Sequence, residues 1–257
     1  MNDLVDAPKD RMHPIKKNRP IASGKLPVSV AVLVTVVLML SALSYAYFGV
    51  GTYFFFSLLV FLFLQFIYSF HFRNVIILDS LFVAAGFVVR VFAGGFASNT
   101  SVSSWIALTT VGISMLMAFG KRQSEKTLLA QFYGAAQNVR TRKTLRHYPD
   151  RLLDSMISMS ATYTIITYSL FTFQVSPRLL NETLSGYLPS VLRNPKLMML
   201  TIPLVIYGVA RYLYIIYEKK EGESPERVLL SDAPLLYTVS LWGAFVMLVI
   251  YVLPVIL

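Results

Sequence analysis

The chain has 257 residues, 56% of them hydrophobic and only 14% charged, with a formal net charge of +10 and no cysteine. A soluble domain carries about 25% charged residues, so a water-soluble globule is excluded. The missing cysteines exclude disulfides and thiolate metal centres.

The first segment, NDLVDAPKDRMHPIKKNRPIASGKL (residues 2–26), is polar and carries charge of both signs, so no cleavable leader is expected. At about 100° per residue, Asn2, Asp3, Asp6 and Asp10 fall within roughly a 100° arc of one helix face. Pro8 is expected to interrupt that helix. Oxygen donors converging from one face, without histidine or cysteine, suit a hard ion such as Mg²⁺, which takes one or two carboxylates together with phosphate oxygens. A solvated, basic juxtamembrane segment accounts for the lysines equally well but leaves the spaced acids unexplained.

Seven apolar runs follow, at about 28–50, 53–70, 75–96, 102–119, 156–175, 197–216 and 235–255. Each is long enough to cross a hydrocarbon core of roughly 30 Å. The fold class is therefore all-α, a polytopic transmembrane helical bundle with about seven visible spans. Lys and Arg crowd the first segment and the connections around Arg73, 121–151 and 219–227, whereas the alternate connections hold only Arg178, Arg193 and Lys196. The positive-inside rule puts the crowded side in the cytoplasm, as expected of a multi-pass plasma-membrane protein. The same bias accounts for the net charge without nucleic acid. No repeat or low-complexity tract interrupts the chain, so residues 1–257 read as one domain.

Three charges fall inside spans. Arg90 lies deep in the third, with Asp79 on nearly the same face about 16 Å away, so each is expected to find a partner elsewhere. Arg211 sits between Tyr207 and Tyr214 near a span end, where snorkelling is the simplest account. The Asn181-Glu182-Thr183 sequon reads as incidental.

The segment from Asn2 to Leu26 resembles the first aspartate-rich motif of the UbiA superfamily of intramembrane prenyltransferases. It is nearest to the decaprenyl-phosphate phosphoribosyltransferase branch, whose signature N-D-x-x-D-x-x-x-D-R-x-H-P-x-K-x-x-R-P-I-A-S-G it matches throughout. YSFHFRNVIILDSLFVAAGFVVRVFAGG (68–95), FGKRQSE (119–125), LRHYPDRLLD (145–154) and YGVARYLYIIYEKKEGESPERVLLSDAPL (207–235) are similar to later blocks of that branch. The resemblance implies nine transmembrane helices around a cavity open to the cytoplasm and, sideways, to lipid. In the family the first motif follows the second span, so the first two family helices are expected to be encoded upstream of Met1. The 257-residue form would otherwise be a remnant, or a chain that completes its cavity as a homo-oligomer.

The resemblance makes Asp3, Asp6 and Asp10 catalytic and Asn2, Asp3, Asp6 and Asp10 the Mg²⁺ ligands. From the matched blocks it supplies Lys17, Arg19, Tyr68, Arg73, Asp79, Lys121, Arg122, Glu125, Arg146 and Tyr148 as substrate contacts. One departure shapes the substrate. Superfamily members carry a second D-x-x-x-D motif, but the equivalent stretch here is GKRQSEK, with Lys121 and Arg122 where acids are expected. That swap favours phosphoribosyl pyrophosphate as donor, its diphosphate on Mg²⁺ and another phosphate on the basic pair, with a polyprenyl phosphate as acceptor. An ordinary prenyltransferase needs a second acidic cluster, and 121–151 offers only Glu125 and Asp150. A transporter would show repeats and broken helices, which are not evident; a non-catalytic lipid-binding remnant remains the alternative from another class.

Overall fold

The computed structural model describes residues 2–11, 16–133, 148–175, 196–219 and 225–256. Helix α1 (Asn2–Asp10) runs through Pro8. The proline does not interrupt it, because its missing N–H would have bonded one carbonyl only, and the last turn is continued by Arg11 N–H to the Ala7 carbonyl (3.2 Å). Then come α2 (Val28–Tyr45), prolonged by a π turn to Val50, α3 (Thr52–Phe70) and α4 (Leu78–Ser98). Helix α5 (Ser104–Tyr133) has 30 residues, about 45 Å, longer than a hydrocarbon core. After it come α6 (Asp150–Val175), α7 (Ile202–Tyr214), α8 (Pro225–Ser231), α9 (Ala233–Met247) and the short α10 (Leu253–Ile256).

Among the described residues, six helical stretches are long and apolar enough to cross a membrane: Val28–Val50, Thr52–Phe70, Leu78–Ser98, Ser104–Thr127, Leu197–Glu218 and Ala233–Val252. The remaining expected run, 156–175, forms most of α6, a 26-residue helix. Serines and threonines lower its hydropathy. They are tolerated there because the hydroxyls of Ser160, Thr164 and Ser169 each bond the carbonyl four residues back, at 2.7 Å.

The chain divides into two compact units, 1–102 with 125–155 and 103–124 with 156–257. In the first, α3 and α4 pack together; Phe72 stacks on Phe82 with ring centroids 4.4 Å apart. Arg90 finds its partner here in aromatic faces, 4.7 Å from the Phe61 centroid and 5.5 Å from that of Phe87. Most of α2 exposes apolar side chains, the surface lipid tails cover. In the second unit, the Tyr168 hydroxyl meets Thr201 at 2.6 Å and accepts from Trp242 Nε1 at 2.6 Å, so buried polar groups satisfy one another. A Cβ on Gly112 would lie 2.7 Å from Thr164 Oγ1 and 3.1 Å from its Cα; α5 and α6 touch there because this side chain is absent.

Candidate active site

On α1, Asp6 and Asp10 stand one turn apart and so share a face. Asp10 is buried, and its Oδ2 accepts from Arg19 Nη1 at 2.9 Å. Asp6 forms an ion pair through Oδ1 with Arg73 Nη2. Arg73, itself buried, comes from the 3₁₀ turn Phe72–Asn74 between α3 and α4. Arg11 Nε bonds the Ala22 carbonyl at 3.2 Å, holding the end of α1 against the segment that follows. Tyr68 is buried near the end of α3, and Lys17 is exposed.

A second group follows Arg73 along the chain. The Tyr148 hydroxyl donates to Asp79 Oδ1 at 2.6 Å and accepts from the Ile77 N–H at 2.7 Å. Asp79 and Tyr148 are both buried. Burial raises the Tyr148 pKa first, its bond to Asp79 and the nearby charge raise it further, and it is pushed up to about 12. The hydroxyl therefore keeps its proton at any physiological pH. Lys126 Nζ reaches the Tyr148 carbonyl (2.7 Å) and Asp150 Oδ1 (2.6 Å).

The sequence-predicted residues thus separate by place. Asp6, Asp10, Arg19 and Arg73 form one ion-paired cluster, and Asp79 and Tyr148 bond to each other. Lys121, Arg122 and Glu125 share one stretch of α5, the first half-buried and the other two buried. The side chains of Asn2 and Asp3, and all of Arg146, lie outside the described residues. Sequence reasoning did not foresee the partner of Arg211. Its Nε and Nη2 each meet a different oxygen of Asp232 at 2.9 Å, a two-point pairing rather than snorkelling into solvent. Asp232 Oδ1 also accepts from Leu235 N at 3.1 Å, capping α9. A matched block holding both residues was the only signal available.

Among the described residues no group of three or more His, Asp or Glu gathers as a metal cage. Asp6 and Asp10 nonetheless fit Mg²⁺, an ion that takes one or two carboxylates and fills its shell with phosphate and water oxygens. Both are oxygen donors on one face, and each is held in place by an arginine.

The sequence model of the UbiA prenyltransferase family matches residues 1–231. The chain belongs to the UbiA prenyltransferase family. It is therefore a transferase of that multi-pass membrane family. Decaprenyl-phosphate phosphoribosyltransferase of Corynebacterium glutamicum is 30% identical over 255 residues, covering 99% of this chain and 71% of that one. The proteins of that name from Mycolicibacterium smegmatis and Mycobacterium tuberculosis are 31% and 30% identical over 67% and 68% of this chain. The aligned parts span 52% and 56% of those two relatives, about half their length. Among solved structures, a UbiA homologue from Archaeoglobus fulgidus bound to DMAPP and Mg²⁺ superposes with a TM-score of 0.66 at 19% identity, covering 98% of this chain and 82% of that one. At that identity the likeness speaks for the fold.

Proposed function

We propose that this transferase moves 5-phosphoribose from phosphoribosyl pyrophosphate to a polyprenyl phosphate, releasing pyrophosphate at the cytoplasmic face of the plasma membrane. The observation that carries this reading is the pair of carboxylates, Asp6 and Asp10, on one face of α1, each braced by a buried or half-buried arginine. The names of the relatives, decaprenyl-phosphate phosphoribosyltransferases, support transfer of a phosphoribosyl group to a polyprenyl phosphate.

Asp6 and Asp10, with Asn2 and Asp3 from the same helix, would hold Mg²⁺, which when bound neutralises the diphosphate and eases its departure. The acceptor's phosphate oxygen forms the new bond to ribose C1 as the bond from C1 to the pyrophosphate oxygen breaks. The electron pair leaves with pyrophosphate. A phosphate monoester is already ionised near neutral pH, its second pKa being about 6, so no general base is needed. Lys17 and Arg19 supply cations for phosphate oxygens, and Lys121 and Arg122 serve the 5-phosphate or the lipid phosphate, arginine by its two-pronged fork.

The test is donor choice. Membranes containing the chain receive Mg²⁺, polyprenyl phosphate and labelled phosphoribosyl pyrophosphate, or a labelled prenyl diphosphate with an aromatic acceptor. Label from phosphoribosyl pyrophosphate in the lipid extract supports the proposal. Prenyl transfer in its place establishes the ordinary prenyltransferase, and no transfer of either kind leaves the lipid-binding remnant.

A further inference from the structure

We infer that the Tyr148 hydroxyl is a positioning group for Asp6, acting through the turn that joins α3 to α4; this rests on the reading that Asp6 serves the transfer reaction. Ile77 carries the backbone signal. Its φ of 71° and ψ of −50°, with Leu78 N–H bonded to the Ile76 carbonyl at 2.8 Å, make a three-residue turn of the rare, strained positive-φ kind. A β-branched side chain is poorly tolerated there, and such a conformation persists only where its surroundings over-determine it.

Tyr148 supplies that constraint. Its hydroxyl takes the Ile77 N–H and gives its own proton to Asp79, so one oxygen grips the turn on both sides of Leu78. The grip passes backward along the chain. Asp79 N–H bonds the Val75 carbonyl at 3.0 Å, and Val75 N–H bonds the Phe72 carbonyl at 3.1 Å. Arg73 lies within that bonded stretch, and its guanidinium pairs with Asp6. Tyr148 is itself steadied by Lys126, whose Nζ meets the Tyr148 carbonyl at 2.7 Å.

The Tyr148 hydroxyl spends both its donor and its acceptor on the turn, on Asp79 and on the Ile77 N–H. Asp79 is 0% exposed and Tyr148 1%, and each has the other as partner. Their common chemistry is therefore to hold the turn, and through Arg73 to set where Asp6 stands.

The experiment uses the whole chain in lipid nanodiscs, comparing wild type with Tyr148→Phe, which keeps the ring and removes the hydroxyl. Hydrogen exchange of peptides covering 72–80 reports the turn, and Mn²⁺ binding followed by its free-ion paramagnetic resonance signal reports Asp6 without turnover. Exchange in the variant should quicken by about five- to a hundredfold, the range for a lost buried hydrogen bond, and Mn²⁺ affinity should fall by about fivefold or more. Adding Ile77→Gly should restore wild-type affinity, since glycine adopts positive φ at no steric cost; this double variant also carries the test where the single one fails to insert. Unchanged exchange, faster exchange with unchanged Mn²⁺ affinity, or a double variant still defective in Mn²⁺ binding would each overturn the inference. Wild type that binds Mn²⁺ but transfers no phosphoribose would overturn the transferase reading alone.

Discussion

At Asp232 both carboxylate oxygens are engaged by Arg211, and one of them also caps α9. At Asp6 and Asp10 each carboxylate meets one arginine through one oxygen, and the described residues bring no other partner to either. An Asp–Arg pair with its hydrogen-bonding capacity used up holds helices together. A pair with acceptor capacity to spare is equipped to receive a ligand, with the arginine fixing the carboxylate in place. The difference teaches that residue type and local spacing do not separate structural from functional ion pairs. The number of oxygens already committed is the distinction proposed for this chain.

Substitution at the two kinds of pair sharpens the comparison. Asp6→Asn should abolish transfer, with a loss above about hundredfold from removal of a charged metal ligand, in protein that still inserts and elutes as a folded species; the lipid-extraction assay and size-exclusion chromatography read the two halves. Asp232→Asn should do the reverse. Breaking a buried pair from one side costs about 3–5 kcal/mol, so its thermal midpoint should fall steeply while activity per folded molecule is kept. If Asp232→Asn removes activity from folded protein, the contrast between the pairs is broken.

Next in size is Gly112→Val, which forces a branched side chain against the backbone of Thr164. Overpacking costs about 1–3 kcal/mol, seen as a lower thermal midpoint with an unchanged KM. Lys121→Glu tests the basic stretch of α5. Losing a charge-assisted bond costs about 1.5–3 kcal/mol, so KM for phosphoribosyl pyrophosphate should rise about ten- to a hundredfold in correctly inserted protein. An unchanged KM would remove Lys121 from substrate binding.

The last effect is a pH dependence. The Tyr148 pKa is raised from 10.0 to about 12 in the folded chain, so folding favours the protonated hydroxyl. That contribution is fully present below pH 10 and is lost as pH rises through 12, at most about 3 kcal/mol. Between these limits wild type should lose stability relative to Tyr148→Phe, as measured by paired melts; parallel curves would contradict the assigned bond to Asp79.

The spans were legible because a membrane helix must be long and apolar at every turn, a demand written along 28–50 as plainly as along 235–255. The shared face of Asp6 and Asp10 was legible for a similar reason, being set by a four-residue spacing within one helix. What stayed hidden depends on contacts between distant residues. Tyr148 and Asp79 are 69 positions apart, and Arg211 and Asp232 are 21 apart. Arg90 pairs with ring faces rather than an acid, and nothing in a string of phenylalanines says which one an arginine will cover. Ile77 was the least legible, since β-branched residues favour extended backbone and its positive-φ turn is bonded to Tyr148, 71 positions away.

The central claim is that the acidic face of α1 serves phosphoribosyl transfer with Mg²⁺, and one matched measurement tests it most directly. Membranes holding wild type or Asp6→Asn at equal folded amounts are given labelled phosphoribosyl pyrophosphate and polyprenyl phosphate, with Mg²⁺ or with excess chelator, and the lipid fraction is counted. The account predicts labelled lipid only for wild type with Mg²⁺; label in the chelated sample, or equal label from Asp6→Asn, would contradict it.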